Sequence, residues 1–127
     1  AVLQTAEKAG KRAFGWDSDM TAYGPKAHLG SAIINWAPYY IKATKDALEG
    51  TWTTGGVWWG HKEGAIDLVS IADDVPAEIK AKIDTIKAGL KDGSFHPWTG
   101  PIVDQSGKEV LAKDQKARAA VCWVYEK

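Results

Sequence analysis

A short apolar run that breaks into a loop rich in carboxylates constrains the fold of this chain more than any other feature. Residues 12–14 lead directly into the segment Gly15-Trp16-Asp17-Ser18-Asp19-Met20. Such a break is typical of a strand that ends in a loop, and in α/β proteins ligands lie outside the carboxyl ends of strands. Residues 15–20 are therefore predicted to form a ligand-binding loop after a strand.

Three segments carry apolar residues at helical spacing, and each is followed by a glycine that can end a helix. They cover residues 2–9 before Gly10, a segment from Asn35 to Gly50, and a segment from Pro76 to Gly93. Asn35 is a good N-cap, and Pro38 falls in the first turn, where its missing N–H costs nothing. These segments are predicted to be helices.

The remaining segments have an extended character or allow two interpretations. Residues 27–34 are apolar and could form a strand or begin a helix. Residues 51–71 favour strands that pair across residues 60–64. Further along, a turn at 105–108 separates two short strands at 102–103 and 110–111, and the tail is helix-compatible at 113–120 and strand-like at 121–125.

Composition excludes several classes of function. Sixteen basic residues balance sixteen acidic ones, so no net field attracts a polyanion, and binding to nucleic acid is not expected. The longest apolar runs are far below the roughly 20 residues that span a bilayer. Cys122 is the single cysteine of the 127 residues, so it cannot form an intrachain disulfide, and it is interpreted as a small buried hydrophobe.

The first candidate site residues are Trp16, Asp17 and Asp19. In an extended loop, Asp17 and Asp19 point to opposite sides, so one can face a ligand while the other caps the loop. The local sequence alone slightly favours the alternative that the carboxylates form an Asx-turn, which only closes the corner between strand and loop. Trp16 can stack on a flat ligand or fill a core; its position beside a carboxylate favours a ligand with a ring and polar hydroxyl or N–H groups.

The pair Asn35-Trp36 repeats this combination of a polar side chain with an indole, and it has the competing role of a helix cap. The segment 58–64 contains adjacent Trp58 and Trp59, which in a strand face opposite ways, followed by a turn interpreted as solvated. The three histidines lack ligand spacing, so no metal site and no cofactor are expected. Sequence motifs of nucleotide-binding loops and of hydrolases are absent from the printed chain.

Ordered segments along the chain resemble one known family. They are Phe14-Gly15-Trp16-Asp17-Ser18-Asp19-Met20, Pro25-Lys26-Ala27-His28-Leu29, Ile34-Asn35-Trp36-Ala37-Pro38-Tyr39-Tyr40, Leu48-Glu49-Gly50-Thr51-Trp52, Trp58-Trp59-Gly60-His61-Lys62-Glu63-Gly64 and Phe95-His96-Pro97-Trp98-Thr99-Gly100-Pro101-Ile102. Together with the opening residues 1–7, they resemble the C-terminal part of the basic membrane protein family. This family comprises the PnrA-like substrate-binding proteins of ABC importers, and the resemblance runs to about Leu111.

The resemblance implies an α/β fold of the type I periplasmic-binding-protein kind. Residues 1–127 would form an incomplete second lobe, with a parallel sheet flanked by helices and a C-terminal hairpin, and the N-terminal lobe would be absent from the chain. The opening residues agree, since they start inside a helical pattern without an initiator Met, N-cap or signal peptide. A fragment or a processed chain is therefore expected.

The resemblance also implies a function and a site. A purine nucleobase or nucleoside would bind in the cleft between two lobes without catalysis, with Asp17 facing the ligand and Asn35 near the position of a polar family residue that is often Lys. The expected ligand-binding residues are Asp17, Trp16, Asn35, Trp36 and Asp19. The implied partners are the missing N-terminal lobe and an ABC permease, through which alone the protein would meet the membrane, in the periplasm or anchored outside the cytoplasmic membrane.

Two other classes of function stay open at the level of the sequence. A free-standing carbohydrate-binding module could use Trp52, Trp58 and Trp98 as stacking platforms, which requires indoles that are both exposed and coplanar. An enzyme would need a nucleophile paired with a base, and the sequence indicates no such pair.

Overall fold

Three helices and five strands make up the described part, residues 1–117, of the computed structural model. In chain order they are α1 (Val2–Lys8), β1 (Ala13–Asp17), β2 (His28–Ile34), α2 (Ala37–Leu48), β3 (Ile66–Val69), α3 (Ala77–Asp92), β4 (Ile102–Val103) and β5 (Glu109–Leu111), with a short 3-10 turn over Thr21–Tyr23. The predicted α/β fold, with a parallel strand pair and helices beside it, is confirmed.

The main sheet has the strand order β1-β2-β3. β1 and β2 are parallel, and β3 runs antiparallel to β2, so that Ile34 pairs with Ile66. Residues 27–34, which allowed two interpretations, thus include a central strand. The carboxyl ends of β1 and β2 and the start of β3 meet at one edge of the sheet, which we call the ligand edge.

The first strand is longer than its sequence pattern indicates. The loop was expected to begin at Gly15, but β1 continues to Asp17 through pairing with β2. Gly15 permits this approach, because a Cβ atom at this position would lie 2.3 Å from the Ser31 hydroxyl oxygen. The strand is therefore extended by a tertiary contact, in which Gly15 packs closely against Ser31 of β2.

A bulge interrupts the register between the two parallel strands. Ala13 pairs with His28 and Gly15 with Ser31, so β2 advances by one residue more than β1. In a regular strand, residues three apart point to opposite faces, whereas the extra residue returns His28 and Ser31 to the same face. Gly30 lies in this bulge, where a Cβ atom would come within 2.9 Å of Ile71 Cδ1.

The prediction of paired strands across residues 60–64 is wrong. No strand forms over residues 51–59, and β3 pairs with β2 instead. Gly55 has a φ of 141° and is followed by Gly56, which breaks the extended run, while the free edge of β2 offers a complete hydrogen-bonding partner for β3. The threonine and tryptophan content of residues 51–59 favours a strand, but in the folded chain β3 pairs with β2 and not with this segment.

The helix and hairpin predictions in the second half are largely confirmed. α3 ends at Gly93, which adopts a left-handed φ of 82°, and β4 pairs antiparallel with β5. The expected helix from residue 113 does not form over 113–117, since Asp114 has a φ of 64° and Lys116 makes an isolated bridge to Thr99. Cys122 and the predictions for 118–127 lie outside the described residues.

The core of the described part is small. Among hydrophobic side chains in residues 1–117, Leu3, Ala27 and Leu111 are the buried ones, with at most 5% exposure. Two large aliphatic side chains of α2 face solvent, Ile41 with 68% and Leu48 with 84% exposure. In the described range, no helix combines the length and apolar character needed to cross a bilayer.

Candidate ligand-binding edge

Asp17 occupies an exposed corner at the end of β1. Its φ of 75° lies in the left-handed region, which turns the backbone out of the strand toward residues 18–20. Within residues 1–117, no hydrogen bond to its carboxylate is found, and Trp16 beside it is 70% exposed. An ionised carboxylate accepts hydrogen bonds only, so this corner can receive hydroxyl or N–H donors from a ligand.

Asp19 has a different part in the same loop. Its Oδ1 accepts hydrogen bonds from the Thr21 amide (3.0 Å) and the Thr21 hydroxyl (2.6 Å), and its Oδ2 accepts from the Ser70 hydroxyl. The bond from Ser70, followed by those from Thr21, lowers the pKa of Asp19 to about 2. The Asx-turn interpretation thus describes Asp19, whose contact with a ligand stays a prediction.

Asn35 joins three elements at the ligand edge. Its Oδ1 accepts the amide N–H of Ala37, the first residue of α2, at 3.2 Å, while its Nδ2 donates to the Gly64 carbonyl at 3.1 Å. Its own amide donates to the Ala65 carbonyl at 2.7 Å. The predicted capping role is therefore seen in the side chain, although Trp36 occupies the N-cap position itself. One side-chain N–H of Asn35 is left for a ligand.

Trp36 belongs to a small aromatic group at the start of α2. Its ring stacks on that of Tyr40, with 6.1 Å between centroids and 29° between planes, and the indole is still 56% exposed. Tyr39 meets Trp59 edge to face at 5.9 Å. Trp36 therefore presents an exposed ring whose orientation is stabilised by stacking on Tyr40.

The loop 60–65 is a part of this edge that the sequence alone did not indicate. The Gly60 amide donates to Glu63 Oε2 at 2.8 Å, and the Ala65 amide donates to the Gly60 carbonyl at 3.0 Å. His61 Nδ1 lies 2.9 Å from the Ile66 carbonyl. The glycines at 60 and 64 signalled a turn, but the link from Asn35 that places this turn beside α2 arises only in the folded chain.

Another concavity lies at the opposite end of the sheet. A cavity of about 410 Å³ opens between the starts of β1 and β2 and the segment after β3. Its cationic Arg12 is already engaged, since the guanidinium donates to both Asp74 carboxylate oxygens and, at 3.0 Å, to the His28 carbonyl. Asp17 lies at the other end of β1 from Arg12 and is not among the residues that line this cavity. Over residues 1–117, no cluster of three or more His, Cys, Asp or Glu side chains could hold a metal ion.

Comparisons with known proteins bear on the role of the ligand edge. A family model described as ABC transporter substrate-binding protein, PnrA-like, matches residues 1–92. A purine-binding protein of Brucella abortus (strain 2308) is 38% identical over 117 residues, which cover 92% of this chain and 33% of that protein. The chain thus spans about a third of the length of this relative.

A solved structure shares the fold. The crystal structure of a transcriptional activator of the comK gene from Bacillus halodurans has a TM-score of 0.68 to this chain at 21% identity. The match covers 76% of this chain and 34% of that one. At this identity the similarity concerns the arrangement of helices and strands alone.

Proposed function

This chain belongs to the PnrA-like family of ABC transporter substrate-binding proteins, and from that premise we propose that its ligand edge is one wall of a purine-binding cleft. The observation that carries the proposal is the exposed Asp17 carboxylate, which has no hydrogen-bond partner within residues 1–117 and stands beside the open Trp16 indole at the carboxyl end of a strand. The purine-binding relative from Brucella abortus supports the choice of ligand.

Each residue of the wall has a proposed part. Asp17 accepts hydrogen bonds from a ribose hydroxyl or a ring N–H, while Trp16 or Trp36 packs against the flat base. Asn35 offers its remaining side-chain N–H to a ring nitrogen or carbonyl. A neutral ligand suits a chain whose formal charges cancel.

A second wall is part of the proposal. Drug-sized ligands typically bury roughly 70–90% of their surface on binding. The exposure of Trp16 and Trp36 leaves one side of this wall open, so a second wall is needed to cover the ligand. We place the second wall on an N-terminal lobe, with residues 1–127 as part of the C-terminal lobe. Closure of the two lobes on the ligand would be the state that an ABC permease reads, outside the cytoplasmic membrane and without chemical change of the ligand.

Calorimetry on the complete two-lobed protein tests the proposal, with adenine, guanosine and a panel of sugars as ligands. Binding of a purine at micromolar or lower concentration with no response to sugars is the expected result. A clear preference for sugars would reject it.

The same sugar panel tests the carbohydrate alternative. Trp52, Trp58 and Trp98 are exposed, which is one of the two properties that this hypothesis requires. Trp52 and Trp58 lie in the irregular stretch 51–65 between α2 and β3, and Trp98 lies after α3. Membership in a substrate-binding family favours the ligand edge over these scattered rings.

A further inference from the structure

A buried row of hydrogen bonds runs beneath the loop that follows Asp17. The Met20 amide donates to the Ser31 hydroxyl oxygen at 3.0 Å, and that oxygen lies 2.7 Å from His28 Nε2. His28 is 2% exposed and Ser31 is fully buried. Burying a polar group costs free energy unless the group has a hydrogen-bond partner, so every N–H and O–H in this row is expected to have an acceptor.

The direction of each bond follows from Asp19. Its carboxylate can only accept, so the Thr21 hydroxyl donates its proton to Asp19, and the Thr21 oxygen is free to accept from His28 Nδ1 at 3.4 Å. With the proton on Nδ1, His28 Nε2 accepts the hydroxyl proton of Ser31. The Ser31 oxygen then accepts the Met20 N–H, and all polar hydrogens in the row have acceptors.

Two local features of the backbone make this row possible. The bulge in β2 brings His28 and Ser31 to one face of the sheet, although they are three residues apart. Gly15 leaves room above Ser31, since a Cβ atom there would lie 2.3 Å from its Oγ and 2.7 Å from Met20 Cβ. The loop 18–20 can therefore fold back onto the strand pair only where these features coincide.

We infer that His28 is a positioning residue for the ligand edge: by orienting the Ser31 hydroxyl it holds the Met20 amide, and so fixes the loop 18–20 that sets the place of the Asp17 carboxylate. His28 itself touches no ligand in this scheme. The effect on ligand binding rests on the proposed function, whereas the hold on the loop can be measured without any ligand.

The first test measures hydrogen exchange of the Met20 amide in the full chain by NMR after ¹⁵N-methionine labelling, with the signal assigned through Met20→Leu. His28→Leu should speed exchange at least about tenfold, which equals about 1.4 kcal/mol, because Ser31 loses its acceptor. His28→Gln can place an oxygen near the former Nε2 and should restore slow exchange. His28→Asn reaches only toward the Nδ1 position and should not.

The difference between His28→Gln and His28→Asn separates positioning of the loop from a general loss of packing. Leu111→Ala removes a buried side chain from the β4–β5 hairpin and should lower the melting temperature while leaving Met20 exchange as in the wild type below the transition. Equal exchange in His28→Leu and wild type, or equal effects of His28→Gln and His28→Asn, would overturn the inference.

The second test adds adenine and guanosine to the same variants in the complete protein. His28→Leu and Ser31→Ala should each weaken binding about tenfold, and the double variant should lose little more, because both act through the Met20 amide. If the wild type binds neither purine, the proposed function fails while the exchange results still decide the role of His28. If the wild type binds and the two losses multiply, the shared route through Ser31 is rejected.

Discussion

The Ser70 hydroxyl at the end of β3 donates a hydrogen bond to the Asp19 carboxylate, 51 residues away in the sequence. This bond ties the loop after β1 to the far strand of the sheet, across the central strand β2. The loop that follows Asp17 at the ligand edge is therefore held by its own carboxylate at Asp19 as well as by the Met20 amide.

This bond makes the loop sensitive to acid. Hydrogen bonds from Ser70 and then Thr21 lower the pKa of Asp19 from 3.8 to about 2. Because the folded state lowers the pKa, the stabilisation is complete above about pH 4 and is lost as the pH falls toward 2. Exchange of the Thr21 amide, corrected for its intrinsic rate, should rise over this interval in the wild type. Asp19→Asn should remove that dependence, and a wild-type transition near pH 5 instead would contradict the assignment.

Asp17→Asn is expected to weaken purine binding with little effect on folding. The carboxylate makes no hydrogen bond within residues 1–117, so its loss costs the fold little, whereas a charge-assisted bond to a ligand contributes about 1.5–3 kcal/mol, or roughly 10- to 150-fold in affinity. Titration calorimetry of the complete protein measures the change. Asp84→Asn on the exposed side of α3 is the matched control, and an equal loss in both variants would remove Asp17 from the site.

Gly15→Ala should destabilise the chain by about 1–3 kcal/mol, since the new methyl group meets the Ser31 hydroxyl oxygen at 2.3 Å. Gly56→Ala is the matched control, because no atom lies within 4 Å of its added Cβ. In the control, the reduced freedom of the unfolded chain should leave stability unchanged or raise it by up to about 1 kcal/mol. Urea unfolding followed by circular dichroism compares the two, and a Gly15→Ala chain as stable as the control would show that the sheet yields there.

The exposed face of α2 should promote self-association of the 127-residue chain. Ile41 and Leu48 are 68% and 84% exposed and lie seven residues apart on one side of α2, and exposed large apolar side chains favour contact between copies. Replacing both by lysine should shift sedimentation velocity profiles toward the monomer at the same concentration. Replacing both by glutamine removes the apolar side chains without adding charge and should give the same shift, and association that is unchanged by both double variants would assign it to another surface.

Local pattern was sufficient for the elements whose signals lie within a few residues. The periodicity of Ile79, Ile83, Ile86 and Leu90, bounded by Pro76 and Gly93, predicted α3 with nearly its observed limits. The turn at 105–108 predicted the small hairpin. The ordered segments from Phe14 to Ile102 also indicated the substrate-binding family that the comparison over residues 1–92 confirms.

The sequence predicts which residues belong to the candidate site, but it does not predict the contacts that position them. Residue type and position after apolar runs make Asp17, Asn35 and the indoles candidates, and the family resemblance implies that Asp17 faces the ligand. The parallel pairing of β1 with β2 brings the ends of these runs to one edge. His28 escaped notice, because a lone histidine in an apolar segment gives no local sign of its partners. The prediction of strands over 51–59 is wrong for the same reason, namely that local sequence does not show a segment's partners. The pairing of β3 with β2 depends on contacts outside the segment.

The sequence by itself determined α1, α2, α3 and the hairpin turn, because periodicity and glycine positions act over a few residues. It also determined the family, through its ordered segments, and the set of polar and aromatic residues available for binding. Only the tertiary structure decided which carboxylate is open and which is engaged. Asp17 and Asp19 are two residues apart and chemically identical, yet Ser70 and Thr21 satisfy Asp19, while the left-handed backbone at Asp17 turns the chain outward. That difference arises from strand pairing and a bulge, in which distant residues supply the hydrogen-bond partners.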